Sequence, residues 1–98
     1  MSRSHQEAIK KHWNELIEYM DVEKVEDYMI SKNKLRLSER EELNRESEPQ
    51  RRQSALLHYV QSQDLNVFNA FWHGLVAAGQ SYLAEMLRSP WLQVGYGD

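Results

Sequence analysis

Four histidines are the residues of this sequence best suited to metal binding or acid–base chemistry: His5, His12, His58 and His73. A zinc site on a helix needs two ligands four residues apart on one face, as in the H-E-x-x-H pattern, and none of the four has such a partner. The sequence also contains no cysteine, which excludes thiol catalysis, a disulfide framework and cysteine-ligated zinc. We therefore expect packed or solvated histidines and no metal site.

Other catalytic patterns are equally sparse. The four glycines, Gly74, Gly79, Gly95 and Gly97, form no glycine-rich phosphate loop, and no serine has the context of a nucleophile elbow. Glu41 and Glu42 are adjacent acids on a highly charged segment, which is typical of a solvated helix face. The sequence predicts a protein that is not an enzyme and needs no cofactor.

The charge distribution is uneven along the chain. The formal net charge is −3, but residues 1–20 and 49–98 each carry three acids and three bases. Residues 21–48 carry nine acids against six bases, so we expect one local acidic surface. This pattern argues against a helix-turn-helix protein that binds nucleic acid, because the helix best placed for recognition, residues 38–45, is rich in acids.

Helices must position these charges, because no segment alternates polar and apolar residues long enough to form a strand. Six helices follow from apolar residues at helical spacing. Their stripes are Ile9, Trp13, Leu16, Ile17 and Met20; Val22, Val25 and Met29; Leu43; Leu56, Leu57 and Val60; Leu65, Phe68, Phe71, Trp72, Leu75 and Val76; and Tyr82, Leu83, Met86 and Leu87.

Helix boundaries are marked by capping residues. Asp21 and Asp64 are predicted N-caps, Asn33 and Gly79 are predicted helix ends, and Ser38 with Glu41 has the spacing of a capping box. A second box is predicted at Ser47 and Gln50, with Pro49 in the first turn, and Pro90 closes the last helix. Leu35 and Leu37, in the connection after the second helix, are both expected to enter the core.

Length and hydropathy predict one intracellular, cytoplasmic domain. Hydrophobic residues make up 41% of 98 residues, which suffices for a single core. The domain is expected over residues 1–88, with residues 89–98 as a C-terminal tail or the start of a linker. No apolar run approaches the ~18 residues of a membrane span, and the polar N-terminus does not resemble a signal peptide.

The order of the apolar anchors resembles that of caspase recruitment domains of the death-fold superfamily. The matching segments are LIEYMDVEKVEDYMISKNKLRLSEREEL (16–43), ALLHYVQSQDLNVFNAFWHGL (55–75) and SYLAEML (81–87). The family anchors correspond to Leu35 or Leu37, Leu56–Leu57, Phe68–Phe71–Trp72–Leu75 and Leu83–Ala84; Trp72 departs from the more usual aliphatic residue. The resemblance implies an all-α fold, an antiparallel six-helix bundle.

The segment LRSPWLQVGY is similar to the region after the last helix of nucleotide-oligomerisation receptors of the immune system. The parent protein is therefore expected to be such a receptor, an apoptosome-type scaffold or an adaptor.

The resemblance implies homotypic binding to other caspase recruitment domains. Such binding builds signalling complexes or filaments that bring a caspase, adaptor or kinase together in apoptosis, inflammasome signalling or innate immunity. An inhibitor or decoy of the same fold is the alternative. In the commonest contact of the family, a basic surface meets an acidic surface of the next molecule.

Residues of this chain can supply both surfaces. The expected basic face is Lys10, Lys11, Arg51 and Arg52, and the expected acidic face is Glu23, Glu26, Asp27, Glu39 and Glu42. Further contacts are expected at Arg40, Glu46, Glu48, Gln80 and Ser81. We expect surfaces that complement each other without two-fold symmetry to give an open, head-to-tail assembly.

Overall fold

The computed structural model describes residues 3–45 and 49–87, which form seven helical segments and no strand. The segments are α1 (Arg3–Lys11), α2 (Trp13–Tyr19), α3 (Val22–Ser31), α4 (Leu37–Leu43), α5 (Pro49–Ser62), α6 (Leu65–Ala77) and α7 (Ser81–Met86). α1 and α2 are two parts of one helix broken at His12, where φ is −109° and ψ is 25°. Hydrogen bonds at helical spacing cross the break, from the Leu16 N–H to the His12 carbonyl. Counted in this way, the described residues form the expected six-helix bundle.

The core is built around α6. This helix is apolar on most of its circumference, as expected of a helix covered by neighbours on several sides, and it packs against α3, α5 and α7. Gly74 permits α6 to approach α3 closely: a Cβ there would lie 3.1 Å from Val25 Cγ1 on α3. The Trp72 indole N–H donates to the Ala84 carbonyl at 2.6 Å. This bulky residue, which stands where an aliphatic one is more usual, therefore joins α6 to α7.

α5 runs antiparallel to the broken first helix. At one end, the side-chain amides of Gln6 and Gln61 each donate to the backbone carbonyl of the other, at 2.7 and 3.2 Å. At the other end, the buried amide of Gln53 donates to the Met20 carbonyl at 2.6 Å. Residue numbers rise along α1 and α2 as they fall along α5, which establishes which charges of the two helices are neighbours.

The predicted N-caps at Asp21 and Asp64 are confirmed, since each side chain accepts a hydrogen bond from the backbone N–H three residues later. The predicted ends at Asn33 and Gly79 are confirmed too. Both residues have left-handed backbones, with φ of 61° and 79°. In both places the next residue donates its N–H back to the carbonyl five residues earlier, as in a Schellman motif.

Two predictions around α4 are wrong. The helix begins at Leu37, and the Glu39 carboxylate accepts the Arg36 N–H at 2.8 Å, so the Ser38–Glu41 capping box is not formed. Leu35 is only 3% exposed and enters the core, whereas Leu37 is 64% exposed. The chain turns at Asn33, and after this turn Leu35 points into the core while Leu37 lies exposed as the first residue of α4. The predicted box at Ser47 and Gln50 and the closing Pro90 lie outside the described residues or side chains.

Candidate interaction surfaces

The exposed cations of the expected basic face lie in two places. Lys10 and Lys11 are exposed at the end of α1, and Lys10 lines a shallow depression with His58 and Gln61 of α5. Arg51 is exposed near the opposite end of α5, seven residues before His58, which is about 10 Å along a helix axis. The basic surface is therefore an extended strip and not one compact cluster.

Arg52 does not belong to that strip. Its Nη2 lies 3.5 Å from the Glu26 carboxylate of α3, and its side chain is only 27% exposed. The structure thus places the counter-charge of Arg52 in its own chain, where the sequence analysis expected an acid of the next molecule. Neighbouring residues on a helix differ in direction by about 100°, so Arg51 can face solvent while Arg52 faces α3.

Glu26 is the main correction to the expected acidic face. Its side chain is 0% exposed, so it offers no surface to a partner. Arg40 Nε on α4 lies 3.2 Å from the same carboxylate oxygen that Arg52 approaches. A buried carboxylate needs such counter-charges because an unpaired charge is strongly disfavoured away from water.

Arg40 is likewise an internal group and not a free secondary contact. Its Nη1 lies 2.6 Å from Asp27 Oδ1, and its Nη2 donates to the Glu23 carbonyl at 3.4 Å. We call Glu26, Asp27, Arg40 and Arg52 the ion-pair cluster. It links α3, α4 and α5. Burial raises the pKa of the Glu26 carboxyl above its ordinary value, and the guanidinium groups of Arg52 and Arg40 oppose that rise.

The remaining acids differ in availability. Glu23, Asp27 and Glu42 are exposed, although Asp27 pairs with Arg40 and Glu42 lies 3.8 Å from Arg45. Glu39 is half-buried: it accepts the N–H of Arg36, the N-cap residue of α4, at 2.8 Å and a hydrogen bond from the Tyr59 hydroxyl at 3.4 Å. Burial, followed by the charge of Glu39, raises the pKa of Tyr59. Of the expected acidic face, the accessible residues are therefore Glu23, Asp27 and Glu42.

The expected secondary contacts have mixed outcomes. The Gln80 side chain bridges two loops: its oxygen accepts the Asp21 N–H at 2.7 Å and its amide donates to the Tyr19 carbonyl at 2.6 Å. Gln80 therefore joins the α2–α3 turn to the α6–α7 turn. Ser81 is exposed at the start of α7. Glu46 and Glu48 lie outside the described residues.

The full burial of His5 and the pairing within the ion-pair cluster were not predicted from the sequence. The imidazole of His5 is fully buried with its ring centroid 5.2 Å from that of Phe68, and burial lowers its pKa. His5 lies four residues before Ile9, so it extends the first apolar stripe backwards, and this spacing is the signal that could have identified it. The ion-pair cluster had a similar signal, because Glu26 lies four residues after Val22 and three before Met29 on the buried stripe.

The described residues hold no group of three or more metal-ligating side chains close enough to bind an ion. Within residues 3–45 and 49–87, every helix is too short or too polar to cross a bilayer.

No curated protein matches the sequence. The family model described as the caspase recruitment domain matches residues 6–89. This match covers most of a bundle whose helices and core anchors fit that fold, so the chain belongs to the caspase recruitment domain family, a family of homotypic protein-interaction domains.

Proposed function

We propose that this domain assembles head to tail with other caspase recruitment domains and thereby brings a signalling caspase or kinase into a complex. The observation that carries the proposal is that the exposed basic and acidic residues of the two faces, leaving aside the ion-pair cluster, lie on different helices. Lys10, Lys11 and Arg51 project from α1 and α5, while Glu23 and Glu42 project from α3 and α4. The two surfaces complement each other on different elements, so each molecule can use both at once.

The energies of these contacts indicate how they act. An exposed ion pair contributes about 0–1 kcal/mol and is screened by salt. Several such pairs therefore accelerate encounter and select partners of opposite charge more than they hold an assembly together. Arg51 is the strongest single candidate, because a guanidinium can bind a carboxylate with two parallel hydrogen bonds.

Paired charge reversals test the proposal. Arg51→Glu removes the basic side of the contact, and Glu23→Lys removes the acidic side. We expect each variant alone to stop assembly measured by light scattering and negative-stain electron microscopy. An equimolar mixture should assemble again in alternating order, because the reversed face of each variant then meets the oppositely reversed face of the other, and the two unreversed faces meet each other.

Lys34→Glu is the matched control, since it reverses an exposed cation in the loop between α3 and α4, outside both faces. It should assemble like the wild type. Far-ultraviolet circular dichroism checks that every variant keeps its helices. Failure of the mixture to assemble, with both variants folded, would overturn the proposed contact. A wild-type chain that stays monomeric and stops growth of another domain's filaments would instead support the inhibitor alternative.

A further inference from the structure

Residues 32–37, the connection between α3 and α4 together with the first residue of α4, carry charges that the proposed assembly does not use. Their sequence is KNKLRL, and we call this segment the basic loop. Lys32, Lys34 and Arg36 are exposed, and Leu37 at its end is 64% exposed. The loop therefore presents three cations around one protruding apolar side chain.

The loop has a defined conformation. Asn33 takes the left-handed conformation that ends α3, and the N–H of Lys34 bonds back to the Met29 carbonyl at 2.9 Å. Leu35 is buried, and the Lys34 carbonyl accepts a hydrogen bond from the Tyr59 hydroxyl at 3.2 Å. These anchors hold the backbone inward while Lys34, Arg36 and Leu37 point outward.

The three cations are not neutralised by ion pairs with the described residues. Lys32 lies 5.5 Å from the centre of the Tyr28 ring, an apolar face that does not cancel its charge. The nearest acid in sequence, Glu39, has its carboxylate on the Arg36 backbone N–H, a bond that does not neutralise it, so one acid stands against the three cations. The local surface is therefore positive, although the whole chain has a net charge of −3.

We propose that the basic loop binds the surface of an anionic lipid bilayer, with Leu37 entering the interfacial region. Two features favour a bilayer over a protein partner. Lysines supply two of the three cations, and lysine is depleted from protein–protein interfaces. The surface is also a short connection between helices, too small to bury the ~800 Å² per partner of a typical specific protein interface, whereas a bilayer accepts a protruding side chain.

The expected affinity is modest and depends on orientation. Each cation close to an anionic leaflet increases binding about fivefold, so three give a preference of about 100-fold for anionic over neutral lipid. The acids elsewhere on the chain oppose binding only where they come within a Debye length of ~8 Å. Binding should therefore occur with the α3–α4 end of the bundle towards the membrane.

Vesicle co-sedimentation of the 98-residue chain tests the proposal. We expect binding to vesicles of phosphatidylserine mixed with phosphatidylcholine, and none to phosphatidylcholine alone. Lys32→Glu/Lys34→Glu should lower the partition coefficient by at least about 25-fold. Lys24→Glu/Arg45→Glu makes the same change in net charge at the other ends of α3 and α4 and should lower it by less than fivefold.

A fluorescent label tests insertion of residue 37. The chain has no cysteine, so Leu37→Cys provides one unique position for an environment-sensitive dye. On phosphatidylserine vesicles the dye at position 37 should shift to shorter wavelength, and a dye at Ser81→Cys should not. Ser81 follows Gln80, which contacts the start of α3 and so lies away from the basic loop.

The proposal does not depend on the proposed assembly contact, so all measurements are repeated in the Arg51→Glu variant. Equal losses in the two double variants, absence of binding, or no shift at position 37 would overturn it. So would a loss of self-association in Lys32→Glu/Lys34→Glu without vesicles, which would make the basic loop a protein contact.

Discussion

Arg51 and Arg52 are adjacent in the sequence but have different surroundings. Arg51 is exposed, whereas Arg52 completes the ion-pair cluster around a carboxylate that is fully buried. Paired buried charges are weak evidence for net stability, but removing one partner leaves an uncompensated charge and is strongly destabilising. The two arginines therefore separate an effect on the fold from an effect on assembly.

We expect Arg52→Glu to lower the free energy of unfolding by about 3–5 kcal/mol, towards the lower end because its side chain is partly exposed. The substitution places a second carboxylate beside Glu26 and leaves only Arg40 to compensate. Arg51→Glu replaces an exposed side chain and should lower the free energy of unfolding by no more than about 1 kcal/mol. Urea denaturation followed by circular dichroism measures both, and equal stability of the two variants would contradict the structural role of Arg52.

The residue-level prediction of the site failed where charge and position gave different answers. Glu26 was expected off the Val22–Val25–Met29 stripe, but its spacing of four residues from Val22 and three from Met29 places it on the buried side of α3. Arg40 and Arg52 lie 14 and 26 residues away, so their approach depends on how three helices pack. The sequence pattern can indicate that a buried acid needs a counter-charge, but only the packing identifies which arginine supplies it.

Helix ends were predicted best, because caps act over a few residues. Asp21, Asp64, Asn33 and Gly79 satisfy backbone groups within five positions of themselves, so their spacing determines the outcome. The bridge from Gln80 to the α2–α3 turn joins residues 59 and 61 positions apart. No local pattern indicates such a bridge, which explains why Gln80 was assigned to an intermolecular contact.

We expect Gln80→Ala to lower the free energy of unfolding by about 1–3 kcal/mol, because two hydrogen bonds between turns are lost. The matched control is Gln63→Ala, since within the described part of the chain the Gln63 side chain makes a local hydrogen bond to Ser62 in an exposed turn. Thermal unfolding of the two variants gives the comparison. If Gln80→Ala abolished assembly while its stability equalled that of Gln63→Ala, the residue would be an intermolecular contact after all.

At the scale of the whole molecule, the fold class was predictable because apolar spacing and family resemblance gave the same answer. The surface was harder to predict, because each charged residue can lie in water or pair within its own chain. Five residues of the expected basic and acidic faces are exposed and lie outside the ion-pair cluster: Lys10, Lys11, Glu23, Arg51 and Glu42. They are spread over four helices, so any assembly through them depends on the long-range field of the molecule as much as on single contacts.

Assembly should therefore depend on salt mainly through its rate. Raising ionic strength from about 0.01 M to about 0.1 M shortens the Debye length from about 30 Å to about 10 Å, which removes attraction between separated surfaces but spares close contacts. We expect the initial rate of light scattering to fall at least tenfold while the final assembled fraction changes less, because steering acts on association. Lys34→Glu should show the same dependence, since its charge lies outside both faces. Assembly that accelerates with salt would indicate contacts driven by apolar burial and would contradict a steering role for the strip of Lys10, Lys11 and Arg51.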